Sequence, residues 1–214
     1  MLRRNFIKKI LLFSLAFLSL KTKIMAKSLY KPFNMEDGMF LNNYVLHKSS
    51  FKDFWKWRKE SNKPKPMSFP VVKNNPSYLK SNNSEKTITW VGHSTFLIQI
   101  DGVNILTDPH FSKRASPLSF MGPSRTTPPG LNIDDLPFID LVLISHNHYD
   151  HLDAQTIKLL LKKQNINQPT FFVPLKLKET ISKLGASNVI EHEWWQMSKY
   201  KNLEIHSVPV LSLI

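Results

Sequence analysis

The heptapeptide Ser145-His146-Asn147-His148-Tyr149-Asp150-His151 holds the pattern His-x-His-x-Asp-His. Side chains alternate along an extended backbone, so His146, His148 and Asp150 leave one side of the chain. His151 joins them only if the backbone turns there. Neutral imidazole with carboxylate suits zinc, and suits iron or manganese nearly as well. The sequence has no cysteine, so a metal could be held by nitrogen and oxygen only. The plainer alternative is a histidine-rich surface turn without a ligand; the spacing favours the site.

The apolar run Leu141-Val142-Leu143-Ile144 predicts a buried strand over Leu141–Ser145 that delivers the motif at its end. Upstream, Thr87–Val91 and Thr95–Ile100 read as strands, and Asp101-Gly102 turns the second into Val103–Thr107. His93 falls in the gap between the first two strands, where a structural histidine bonded to backbone is favoured over a ligand. Asp108, after a strand and before Pro109, fits two roles, a hydrogen-bond acceptor behind a metal-bound histidine or a turn former. Residues 109–137 are proline-rich and aperiodic, the mark of a lid or binding loop. Within that loop Arg114 and Arg125 could meet a phosphate bidentately, although a solvated arginine is the commoner case. His110 is expected to be exposed. Beyond the motif, Asp153 is placed to cap a helix ending near Gln164, and Thr170–Val173 reads as a strand. Pro174 opens a helix Leu175–Leu184 closed by Gly185, and short strands follow at Val189-Ile190 and Leu203–Val208. Alternating strands and helices around one strand-end site predict a layered α/β domain.

The formal net charge of +13 is distributed unevenly along the 214 residues. Residues 1–80 carry 17 Lys/Arg against 4 Asp/Glu, and residues 81–214 carry 12 against 12, so the motif-bearing part is neutral. A basic leader on a neutral domain argues for export or for anionic lipid head groups, and against nucleic acid as a partner. Arg3-Arg4 with Phe6, followed by the apolar run Ile10–Leu20, has the form of an export signal similar to the twin-arginine type. Periplasmic or cell-envelope location is the expectation. The organisation expected is a signal-like segment over 1–26, a basic arm over 27–85 and the domain over 86–214. In the arm, Phe51–Lys59 predicts an amphipathic helix stopped by Lys63-Pro64-Lys65-Pro66, while Asn74-Asn75-Pro76 and Ser81–Ser84 read as loops.

The motif and its surroundings resemble the metallo-β-lactamase fold. Trp90-Val91-Gly92-His93-Ser94-Thr95, Leu106-Thr107-Asp108-Pro109, Arg114-Ala115-Ser116-Pro117, Met121-Gly122-Pro123 and Trp194-Trp195 narrow the resemblance to the branch of N-acylphosphatidylethanolamine-hydrolysing phospholipase D. The resemblance implies the first half of an αββα sandwich, incomplete in this chain. It implies two zinc ions, one on His146 and His148 and the other on Asp150 and His151, with Asp108 and His93 behind them. Water activated between the ions would attack the phosphorus of a phospholipid or similar phosphodiester, with Asp150 at the catalytic centre. Where the family has its next histidine this chain has Ser212, which points to a truncated chain whose missing half could act in trans. Three readings follow from these features: a metal-dependent phosphodiesterase, a non-catalytic remnant of one, and a basic protein of the membrane surface.

Overall fold

The computed structural model describes residues 34–36, 39–41, 50–60, 67, 69, 70, 72, 74–118 and 120–210. The expected signal over 1–26, the stop at Lys63–Pro66 and Ser212 lie outside the described residues. Two compact units are present, one of residues 1–60, 193–197 and 206–214, the other of 61–192 and 198–205. The first holds a hairpin, β1 (Asn34–Glu36) with β2 (Met39–Leu41), and helix α1 (Phe51–Glu60). Ser50 starts α1: its N–H and hydroxyl donate to Asp53 Oδ2 at 2.9 and 2.6 Å, and its Oγ accepts from Asp53 N–H at 3.2 Å. That reciprocal pairing satisfies two otherwise orphaned helix-start donors. No helix among the described residues is long and apolar enough to cross a membrane.

The second unit is built on a six-stranded mixed sheet in sequence order: β3 (Thr87–Gly92), β4 (Thr95–Ile100), β5 (Val103–Thr107), β6 (Leu141–Leu143), β7 (Thr170–Pro174) and β8 (Val189–His192). The first three strands run antiparallel by tight turns, whereas β5 to β8 are mutually parallel. Parallel neighbours need crossovers. These are the long loop between β5 and β6, helix α3 (Ala154–Lys163) and helix α4 (Lys178–Lys183).

Alternation along the strands divides the sheet into two apolar faces. Leu106, Val142, Phe171 and Val189 lie opposite one another in register and pack with Ile157, Leu160 and Leu161 of α3 and Ile181 of α4. Leu106, Val142, Ile157, Leu160, Phe171 and Ile181 are completely buried. Full burial of such side chains stabilises by about 1.5–3 kcal/mol each. The other face carries Val103, Ile105, Leu141 and Phe172, against which Tyr200, Leu203 and Ile205 of a hairpin, β9 (Met197–Tyr200) and β10 (Leu203–His206), are packed. The result is a mixed α/β arrangement of helices, sheet and hairpin.

Several elements differ from the expectation for local reasons. Helix α2 (Pro76–Ser81) lies between the two expected loops and takes Pro76 and Ser81 from them; Asn75 accepts from Tyr78 N–H at 3.2 Å and Pro76 occupies the first turn, so the turn-forming residues start a helix. Leu79 of α2 is buried in the core, and its carbonyl accepts from Gln99 Nε2 at 2.8 Å. The segment expected as arm therefore contributes to the sheet unit. Pro174 ends β7, pairing with His192, and the left-handed Lys176 (φ 69°) delays α4 until Lys178. Strand β6 stops at Leu143, and β9 has no counterpart in the sequence reading. Gly185 does close α4, at φ 109°.

Candidate metal centre

The candidate site sits at the carboxyl ends of β5 and β6. Backbone pairing continues past both strands: Asp108 N–H donates to Leu143 O at 2.8 Å and Ile144 N–H to Phe172 O at 3.0 Å. Asp108 and Ser145 are thereby brought to one edge. The chain then turns, His148 O accepting from His151 N–H at 2.9 Å and from Leu152 N–H at 2.7 Å. This turn brings His151 round to the side of His146. Asp153 fixes the exit: its Oδ1 accepts from Gln155 and Thr156 N–H and its Oδ2 from the Thr156 hydroxyl at 2.6 Å and Ser112 N–H at 3.0 Å. One carboxylate thus caps α3 and ties the proline-rich loop beside the site. Burial pushes the Asp153 carboxyl up, and its hydrogen bonds to Thr156 and Ser112 outweigh that, leaving it below the usual range.

Four imidazoles and a carboxylate converge. His146 Nε2 and His148 Nδ1 are 3.0 Å apart, and Asp150 Oδ2 lies 3.6 Å from His151 Nε2. Donors about 2.0–2.2 Å from one cation are separated by about 3–3.5 Å, so the His146–His148 pair has the spacing a shared ion requires and the Asp150–His151 pair stands just wider than it. The rings of His146 and His151 are 4.0 Å apart between centroids. Burial, with His151 and His148 nearby, holds the His146 imidazole below its ordinary value, which keeps the nitrogen lone pair available at neutral pH. For Asp150, burial alone would raise the carboxyl, but its own backbone N–H and the neighbouring His151 and His93 bring it below the ordinary range. Imidazole nitrogens with a carboxylate fit a divalent cation chemically.

Behind these donors stands Asp108, 6% exposed and left-handed at φ 35°. Its Oδ2 meets His151 Nδ1 at 2.8 Å and accepts from the Ser145 hydroxyl at 2.7 Å, and its Oδ1 accepts from Ser145 N–H at 2.7 Å. A turn former alone needs none of these contacts. Ser145, which sequence reasoning passed over, also puts its Oγ 2.9 Å from His146 Nδ1. Nothing in its residue type announces that role. His93, for which a bond to backbone was favoured over ligation and which the resemblance placed behind the ligands, directs Nε2 to Asp150 Oδ2 at 2.8 Å, and His93, Asp150 and His151 have donor atoms within 4.8 Å of one another. Trp90 Nε1 donates to His93 O at 2.9 Å and so holds the left-handed turn that aims the ring.

His110 differs from expectation: it is 5% exposed, not a surface residue. Its N–H donates to Thr95 Oγ1 at 3.1 Å, and the Thr95 hydroxyl donates to Asp108 O at 2.7 Å, which draws His110 under the loop. Arg125 is half-buried against it, Nη2 lying 2.8 Å from His110 Nδ1. Arg114 is occupied by the loop itself, donating from Nη1 to Gly122 O at 2.7 Å. A cavity of about 910 Å³ opens beside these groups, lined by His93, His148 and Asp150 together with Phe69, Ile88 and Trp90.

Comparison with known proteins adds family information to this geometry. The family described as the β-lactamase superfamily domain matches residues 87–212. A Mycobacterium tuberculosis protein is 33% identical over 184 residues, covering 82% of this chain and 48% of that one. The N-acyl-phosphatidylethanolamine-hydrolyzing phospholipase D 1 of Caenorhabditis elegans is 42% identical over 118 residues, 52% of this chain and 32% of its own. A metal-dependent hydrolase of Methanopyrus kandleri is 42% identical over 65 residues, 30% of this chain and 23% of its own. The chain spans about half or less of the length of these relatives.

Proposed function

The chain belongs to the metallo-β-lactamase superfamily, and on that premise we propose that it carries the ligand cluster of a metal-dependent phosphodiesterase acting on N-acylphosphatidylethanolamine-like lipids. The carrying observation is the pairing of donors, His146 with His148 at 3.0 Å and Asp150 with His151 at 3.6 Å, at one strand-end edge. Zinc is the proposed ion, one on each pair. Bound there, a divalent cation polarises a phosphoryl oxygen and lowers the pKa of water.

The protein groups supply orientation and proton placement. Asp108 accepts from His151 Nδ1–H, which leaves Nε2 as the donor directed toward Asp150. Ser145, anchored on Asp108, faces His146 Nδ1 and leaves its Nε2 toward His148. Ionised Asp150 balances cationic charge. Phe69, Ile88 and Trp90 offer an apolar wall on which acyl chains of a lipid could lie. The basic residues 1–80 support contact with an anionic membrane surface, and the leader supports export to the periplasm or cell envelope.

The test uses the full chain, stripped with EDTA and titrated with zinc, manganese or iron, and His148→Ala beside it. Zinc should bind, and binding should weaken by about tenfold or more in His148→Ala. Mixed vesicles containing N-acylphosphatidylethanolamine then report hydrolysis through release of phosphatidic acid. Equal binding by both proteins sinks the ligand assignment. Binding without hydrolysis leaves the non-catalytic reading for this chain.

A further inference from the structure

Arg125 and His110 are left with more N–H groups than acceptors. Arg125 Nη2 donates to the His110 carbonyl and faces His110 Nδ1 at 2.8 Å. A guanidinium nitrogen only donates, so His110 Nδ1 is the acceptor and the ring proton resides on Nε2. That Nε2–H is buried without a partner, and so is Arg125 Nε–H. Among the described residues, no carboxylate lies within ion-pair distance of Arg125. Burial lowers both groups from their ordinary values, as expected of a cation and an imidazole withdrawn from water. A buried donor without an acceptor is costly, and native proteins meet most such donors with a protein group, an ordered water or a ligand.

Gly92 makes room for this arrangement. It is left-handed at φ 140°, and a Cβ there would stand 2.7 Å from Arg125 Nη1. The guanidinium can therefore lie against the backbone beside His93. Arg125, His110 and Gly92 all line the cavity that His93, His148 and Asp150 share.

We propose that Arg125 and His110 form an anion-binding wall of this cavity that receives the charged oxygens of a phosphodiester beside the cluster. The assignment rests on the phosphodiesterase reading and extends it to the substrate. Guanidinium N–H groups of Arg125, held in place by His110, donate to the phosphate oxygens, and the apolar remainder lies toward Phe69, Ile88 and Trp90.

The experiment is calorimetric titration of the full chain with dibutyl phosphate in EDTA, so that no cation can hold the anion. Wild type and Arg114→Met should bind alike, and Arg125→Met should bind about tenfold more weakly, the loss expected for a charge-assisted hydrogen bond. Labelling of Arg125 by phenylglyoxal in wild type, mapped by mass spectrometry, should slow with dibutyl phosphate and not with butyrate; this needs no variant to fold. Undiminished binding by Arg125→Met, unprotected labelling, or equal protection by butyrate overturns the proposal. Failure of the cation assignment would instead appear in zinc binding and leave dibutyl phosphate binding intact.

Discussion

Asp108 Oδ2 and His151 Nδ1 meet at 2.8 Å, joining the end of β5 to the turn after β6 across 43 residues of sequence. The carboxylate is nearly inaccessible, with 8% of its side chain exposed against 17% for the imidazole. This one contact fixes which nitrogen of His151 faces the cluster. Replacing Asp108 by Asn keeps the shape but removes an acceptor oxygen and the charge. Zinc affinity should fall by about 10–100-fold, the range for partners of metal-bound histidines. Competition with a chromogenic chelator measures it, and an unchanged affinity would show that the pair is not coupled to a metal.

His93 gives a sharper contrast because two roles remain distinguishable. Its Nε2 lies 2.8 Å from Asp150 Oδ2. If this orients the carboxylate or adds a donor, His93→Ala should weaken zinc binding by about tenfold with little change in melting temperature. A purely structural histidine would give the reverse, a lower melting temperature and unaltered zinc affinity.

At Asp153 the expected effect is on stability. The side chain accepts two backbone N–H groups of α3 together with Ser112 N–H and the Thr156 hydroxyl. Asp153→Ala should cost about 1–2 kcal/mol for the cap, with an added penalty for the stranded Ser112 N–H. Urea unfolding gives the number. A loss under half a kcal/mol, roughly, would mean that water replaces the cap.

Leu160 is completely buried between α3 and the sheet. Its truncation to Ala should cost about 2–5 kcal/mol, the range for a large-to-small change that leaves a cavity. A smaller loss in denaturant midpoint would indicate that α3 closes onto the sheet.

The metal-free protein should lose stability as pH falls through the histidine range. Burial lowers His110, His146 and His192 from their ordinary values, so the unfolded chain binds protons first. Stability rises with pH wherever the unfolded state holds more protons, so it is complete above about 6.5 and declines below that value. The lowered carboxyls of Asp150 and Asp153 act in the same direction at lower pH, their contribution fading as pH falls through the usual carboxylate range and below. Melting temperatures at pH 7.5 and 5.5 test the histidine part; a higher value at 5.5 would reverse the sign.

The donor spacing of residues 146–151 and the strands on either side were legible because both are local. Alternating apolar residues on β4 and β5 and the run at 141–144 encode which face each side chain takes, and Asp153 at the head of α3 encodes its own cap. Helix α2 is not legible between the loops read at Asn74–Pro76 and Ser81–Ser84, because asparagine and proline serve turns and helix starts alike. Strand β9 carries no periodic signal; it pairs with β10 beneath a sheet face that only the folded chain presents.

Sequence by itself determined that imidazoles and a carboxylate of ligand type leave the end of an apolar strand, because side-chain direction follows from backbone period. Only the tertiary structure decided what stands behind and beside them. Asp108 reaches His151 through parallel pairing of β5 with β6, His93 reaches Asp150 through a left-handed turn, and Arg125 is drawn over His110 by the folded loop. Those contacts span between 15 and 57 positions of sequence. At such separations partner choice is set by strand order, register and burial, none of which is written in the neighbourhood of either residue.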